Sequence, residues 1–186
     1  MKRTRFLAGT VLALLALAQA APGRADEKFT AHLVQTSGPA MGKSTFLTIS
    51  IKAYTTDEEA KQLLQALKDG GTAGLSKAIE KLDKGYVSIP RKPGWNVQIT
   101  RSRELKDGKR RIMVVTNRPI SFAEVRQSSR TLDYPFGIVQ IVVDKDGKGE
   151  GAIWEAADID LNEKGQIEIE SYGIGPQRLL QVKAAK

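Results

Sequence analysis

The chain has 186 residues, no cysteine, one histidine, 29 Lys/Arg against 21 Asp/Glu, and a formal net charge of +8. That length supports one domain with its own core and is short for two. Lacking cysteine, the protein has no disulfide, thiol chemistry or thiolate metal site, and one histidine excludes the usual zinc ligand sets.

In chain order, residues 1–20 read as a cleavable signal peptide. Lys2, Arg3 and Arg5 precede a run from Phe6 to Ala18, closed by Ala18-Gln19-Ala20, a small-x-small cleavage site. As a helix that run would rise about 20 Å against a hydrocarbon core of roughly 30 Å, so no membrane span is expected after cleavage. The expectation is an exported protein, periplasmic or secreted, starting at Ala21, with a disordered leader over 21–28 and a single domain over 29–186. It keeps 26 basic against 21 acidic residues, or +5. Residues 84–130 hold twelve Lys/Arg against three acids, and residues 131–170 hold ten acids against three Lys. Basic and acidic strands paired in one sheet account for that split. A surface for an anionic ligand is the sharper reading. The basic-aromatic modules of nucleic-acid binders are missing, and no nucleic-acid partner is expected.

Period two dominates the domain. Leu47, Ile49, Ile51 and Ala53 alternate with Thr48, Ser50 and Lys52, the pattern of a strand with one buried face, and Trp95, Val97 and Ile99 repeat it. Ile112 to Val115 and Ile138 to Val143 are apolar at nearly every position, as in strands covered on both sides. Further strands fall near 29–36, 86–89, 150–161, 166–172 and 178–183, about nine in all. One interval is helical. Thr56 to Glu59 makes a capping box, Ala60, Leu63, Leu64 and Leu67 follow before Gly70-Gly71, and Leu75, Ile79 and Leu82 suggest a second helix ending at Gly85. The fold class is α+β: a mainly antiparallel sheet curled into a sandwich or barrel, with one αα-hairpin inserted over about 57–84.

Asp107-Gly108 and Asp146-Gly147 predict two-residue hairpin turns. The Asn162 to Gly165 turn needs a three- or five-residue loop with Gly165 left-handed, because an even loop would set Ile159 and Leu161 opposite in face to Ile167 and Ile169. That register also gathers Asp158, Asp160, Glu168 and Glu170 on the other face. These four need basic neighbours, a cation or open water, and they are the residues a carboxylate-dependent hydrolase would use.

Three other stretches are near-misses. Gly38 to Ser44 (G-P-A-M-G-K-S) is one residue short of a phosphate loop and leads into a strand pattern instead of a helix. Asp144 to Gly149 (D-K-D-G-K-G) opens like a calcium loop but lacks the bidentate glutamate at the twelfth position, so a hairpin explains it. His32 falls on the polar side of its strand with no nucleophile signature to join it. No metal or cofactor is expected.

Continuing the parity of Trp95, Val97 and Ile99 reaches Arg101 and Arg103, which a two-residue Asp107-Gly108 turn would place opposite Val114 and Ile112. Arginines on an apolar face need solvent or an anion. With Arg118, Arg126 and Tyr134 nearby in sequence, these residues make the candidate binding site. The segments T-N-R-P-I-S-F (Thr116 to Phe122) and L-D-Y-P-F (Leu132 to Phe136), with D-K-D-G-K-G-E-G after them, resemble recurring features of uncharacterised exported bacterial proteins. The resemblance covers most of the mature chain and implies no activity, substrate or site residue. The functional expectation is a non-enzymatic binding or interaction module for a small anionic or amphipathic ligand or a protein partner, with the hydrolase as alternative.

Overall fold

A computed structural model describes residues 24–36, 41–120, 133–172 and 175–185. Residues 1–20, the expected signal peptide, and Arg126 lie outside the described residues. Alternating sequence becomes one-face burial as expected: Leu47, Ile49 and Ile51 are at most 2 % exposed in a strand whose intervening side chains face out. The strands are β1 (Arg24–Val34), β2 (Ser44–Ala53), β3 (Gly85–Ser88), β4 (Trp95–Val97), β5 (Ile99–Glu104), β6 (Arg110–Thr116), β7 (Phe136–Val143), β8 (Lys148–Leu161), β9 (Ile167–Ser171) and β10 (Gln177–Ala185), with one helix, α1 (Asp57–Ile79), between β2 and β3.

Every pairing is antiparallel, in the order β4-β3-β2-β1-β10-β8-β7-β6-β5, and β9 is hydrogen-bonded to β8 alone. The two ends of that order, β4 and β5, are separated in sequence only by Gln98. Its N–H donates to the Val115 carbonyl, while Lys84 N–H donates to Val97. The chain itself therefore carries the sheet round into a nearly closed barrel. With β4 and β5 as one stave the ring has about eight strands, the size at which side chains fill the interior. Phe29, Leu33, Leu47, Val114, Ile141 and Ile153 belong to that filling.

The doubly apolar strands are doubly covered. Ile112 and Val114 face the interior, and Met113 and Val115 face outward into a second cluster with Leu63, Leu67, Leu75 and Ile79 of α1. α1 starts where the sequence places it: Thr56 Oγ1 accepts from Glu59 N–H (3.1 Å), and Thr56 N–H donates to Glu59 Oε2 (2.8 Å). It bends at Gly71 (φ 58°, ψ −153°), a conformation essentially reserved for glycine. Past the bend, Gly74 lies against the Ala66 carbonyl with no room for a Cβ. The expected pair of helices is thus present within α1 as two helical segments meeting at Gly71, the second ending at Ile79, short of the expected Gly85.

The expected fold holds, with three differences in detail. Among the described residues the strands number ten against about nine expected, because the Trp95–Arg103 stretch is cut in two at Gln98. β1 begins at Arg24, with Glu27 opposite Ile51 and Lys28 opposite Ala185, so the strand covers part of the supposed leader. The Asp-Gly turns are three-residue loops: Leu105 pairs with Lys109, and Asp144 with Lys148, around Gly108 (φ 76°) and Gly147 (φ 72°). The same loop occurs at Asn162–Gln166 with Gly165 at φ 68°, as burial predicted there.

Candidate functional site

The interior register runs past the apolar core into polar residues at both mouths of the barrel. At one mouth, Glu27 continues the parity of Phe29, Ala31 and Leu33, and Arg110 that of Ile112 and Val114. β1 and β6 sit on opposite sides of the ring, so the pair spans the opening. Arg110 grips Glu27 with both guanidinium nitrogens, Nη1 to Oε1 at 3.0 Å and Nη2 to Oε2, and Tyr54 Oη donates to Oε1 at 2.9 Å. Burial and the neighbouring Glu27 carboxylate push the Tyr54 phenol well above its usual range, so it remains a donor.

At the opposite mouth, Gln35 just after β1, Gln177 of β10 and Glu155 of β8 continue the inward parity of Leu33, Leu179 and Ile153. Gln35 Nε2 donates to Glu155 Oε1 (3.0 Å), and the Thr36 N–H and hydroxyl donate to Gln177 Oε1 (2.6 and 2.9 Å). Lys92, from the β3–β4 turn across the ring, acts on Glu155 through its charge. Burial raises the Glu155 carboxyl despite Gln35 and Lys92, and burial lowers the Lys92 ammonium despite Glu155. The segment after β6 roofs this end: Ile120 is buried in the barrel core with its N–H on the Glu155 carbonyl (2.7 Å), and Trp95 Nε1 donates to the Pro119 carbonyl (2.8 Å). Arg118 lies 5.6 Å from the Trp95 ring centroid and donates to Gly94 O (2.6 Å).

Of the described residues chosen from sequence, Trp95 and Arg118 meet here, and Arg101, Arg103 and Tyr134 do not. The break at Gln98 turns Ile99 outward, and the three-residue Leu105–Lys109 loop puts Arg101 opposite Met113 and Arg103 opposite Arg111, one place from the expected Val114 and Ile112. Arg101 faces α1, where it donates to Thr55 O (2.8 Å) and Asp57 Oδ1 (2.8 Å) and so ties the start of the helix to β5. It borders an apolar crevice lined also by Leu63, Leu75, Ile99 and Ile167, with about 20 Å³ of space, little more than one water needs. Arg103 is exposed. Tyr134 is on the outer side of β8–β9, donating to Glu170 (2.8 Å) with its ring 5.3 Å from that of Tyr172.

The four carboxylates do share a face: Asp158 is opposite Glu170 and Asp160 opposite Glu168. Three are exposed; Asp158 is half-buried, accepts from Thr72 Oγ1, and is raised by burial and by Asp160 and Glu170 beside it. Among the described residues no acidic or histidine cluster has the arrangement of a metal site, and no helix is long and apolar enough to cross a membrane. His32 stacks edge-on against Phe46 at 4.5 Å on the outer surface. Residues 44–53, following the phosphate-loop near-miss, form a strand, and Asp144 Oδ1 caps its own hairpin by accepting from Asp146 and Lys148 N–H (both 2.9 Å).

No family model, curated protein or solved structure matches the chain. The site therefore rests on geometry alone. Sequence reasoning passed over Glu27, Gln35, Lys92, Arg110, Glu155 and Gln177. For five of them the signal was present: a charged or amide residue two places beyond an apolar run, at the same parity. Lys92 sits in a turn and had none.

Proposed function

We propose that this chain is an exported, non-enzymatic binding or interaction module, periplasmic or secreted, which takes a small anionic or amphipathic ligand or a protein partner over the Glu155 mouth. The observation carrying this reading is the convergence on that mouth of Gln35, Lys92, Arg118, Glu155 and Gln177 from separate strands and connections of a barrel whose interior is filled. Convergent polar groups on a rigid frame, with titrations displaced by burial, are the usual form of a recognition site. Lys92 and Arg118 supply the positive charge, and a filled interior keeps the ligand at the mouth.

Native mass spectrometry of protein purified from the producing cell's own export compartment tests it. Added mass or a retained partner, lost on Lys92→Ala, supports the reading; wild type that arrives bare sinks it. N-terminal sequencing of the same sample should begin at Ala21, and retained Met1 would overturn export.

One observation favours a second reading, a carboxylate-dependent hydrolase. Asp158 is raised by burial while Glu170 stands opposite it, a pairing that could divide acid and nucleophile roles. A panel of nitrophenyl glycosides decides: release abolished by Asp158→Asn supports hydrolysis, and no release by wild type removes it.

A further inference from the structure

We propose that Arg103 and Arg111, with Gln140 beside them, form a seat for a tetrahedral oxyanion of the phosphate or sulfate class on the outer face of β5, β6 and β7. This site is separate from the barrel mouth and stands whether or not the mouth binds anything.

Register makes the first argument. Arg103 and Arg111 are directly opposite across β5 and β6, which sets their Cβ atoms about 5 Å apart on one face. Like charges so placed repel. A chain that needed only a solvated outer surface there has no reason to pair two guanidinium groups across a ladder.

Four other arginines among the described residues do have partners. Arg101 is bonded to Asp57, Arg110 to Glu27, and Arg178 approaches Glu150 at 3.8 Å; Arg118 has Gly94 O and the Trp95 ring. Neither Arg103 nor Arg111 has an acidic partner among the described residues. Glu104, next to Arg103 in sequence, has the opposite parity and pairs with Arg110. Along the row through Arg111, the next strand presents Val142 and only the one beyond it an acid, Glu150, already beside Arg178.

Burial gives an independent argument. Arg111 Nε is shut off from solvent with no hydrogen-bond partner, and so is Gln140 Oε1. Gln140 faces Met113 and Arg111 faces Val142, so the two orphaned groups are diagonal neighbours on adjacent strands. A water between them could satisfy both atoms but would leave the arginine pair unrelieved. An oxyanion accepts from Arg111 Nε and neutralises the pair together. With its amide turned half a revolution, a nearly isosteric change, Gln140 donates its NH2 to the same anion. Met113 and Val142 wall the site with apolar surface, which strengthens charged hydrogen bonds by excluding water. Two facing guanidinium forks suit an anion with acceptor oxygens on several sides, whereas a carboxylate fills only one fork.

The test is a titration of the full-length protein with inorganic phosphate at constant ionic strength, read on the arginine Nε–H resonances and on Tm. Saturable movement of the Arg111 Nε–H signal is expected, with a rise in Tm. Apparent affinity should fall by about tenfold or more in Arg103→Ala and in Arg111→Lys, and stay unchanged in Arg178→Ala on the same outer surface. Sulfate and glycerol phosphate arms tell a free inorganic ion from a phosphomonoester; binding in either supports the site. Chloride producing the same response, or a linear response without saturation, means general screening and overturns it. Arg103→Glu keeps the proposal testable even if Arg111 variants do not fold. That change should abolish phosphate binding while raising Tm, because it pairs Arg111 internally. A fall in Tm in Arg103→Glu would show that the two arginines do not repel and would overturn the premise.

Discussion

The two mouths of the barrel use the same device and reach opposite states. Each has a carboxylate on an inward position and a cation reaching it from the far side of the ring: Glu27 with Arg110, Glu155 with Lys92. At the first mouth the guanidinium fork meets both carboxylate oxygens and a tyrosine caps one of them, so the charges are satisfied where they stand. At the second, the amide of Gln35 and the distant charge of Lys92 do not offset burial, and Glu155 stays raised. One end is a closed plug. The other holds an unspent electrostatic demand, which is why the binding reading is placed there.

Breaking the plug should have the largest effect. Arg110→Ala leaves Glu27 and Tyr54 facing an empty position and should cost about 2 kcal/mol in urea unfolding, less than a fully buried pair because about a third of the side chain is exposed. Replacing both partners, Glu27→Leu with Arg110→Met, should restore most of that loss. A double variant as unstable as Arg110→Ala would mean the pair acts as more than a plug.

At the roofed mouth, Trp95→Phe removes the bond to the Pro119 carbonyl and part of a buried ring, about 1–2 kcal/mol by the same measurement. The roof should loosen with it, seen as faster hydrogen exchange at the Ile120 amide. Unchanged exchange there would show that the roof is held by Ile120 alone.

Glu155→Gln has a smaller effect of opposite sign. Since the native carboxyl is raised, the folded protein keeps this proton to higher pH than the unfolded chain. The stability it contributes is complete below the ordinary glutamate value and is lost as pH rises through the raised one. Wild type should therefore lose stability across that window, and Glu155→Gln should flatten the loss and match or exceed wild type at neutral pH by less than about 1 kcal/mol. Smallest of all, Lys92→Ala should move the Glu155 titration further up, read by carboxyl carbon NMR, with little change in stability. A downward move would contradict the cross-ring interaction.

What the sequence revealed and concealed follows from one quantity, the parity of strand positions. It was plain in Ile112–Val115 and Ile138–Val143, where apolar residues at both parities required cover on both faces, and α1 and the interior supply it. It was recoverable at Asn162–Gly165, where apolar residues on both sides of the turn fixed the loop length. At Asp107-Gly108 the dipeptide rule replaced that argument, and the error of one residue exchanged Val114 for Met113 opposite Arg101. The break at Gln98 had no local signal at all. It exists because the ring must close there, a tertiary requirement that no window of residues expresses. The candidate pocket built across that break accordingly came apart into an ion pair at the start of α1, an exposed Arg103, and a tryptophan with Arg118 under a roof.

The pairing of β1 with β10 has a consequence for timing. These strands hold residues such as Lys28 and Ala185 side by side, about as far apart in sequence as the fold allows, and β1 has only β2 as a neighbour until β10 exists. Contacts of that separation form slowly and late, because a long loop must be closed before any of them is gained. During synthesis β1 therefore waits for β10, and the interior stays open to water until β10 has been made. A chain built this way stays an open sheet for most of its making, and becomes a barrel only when β10 arrives.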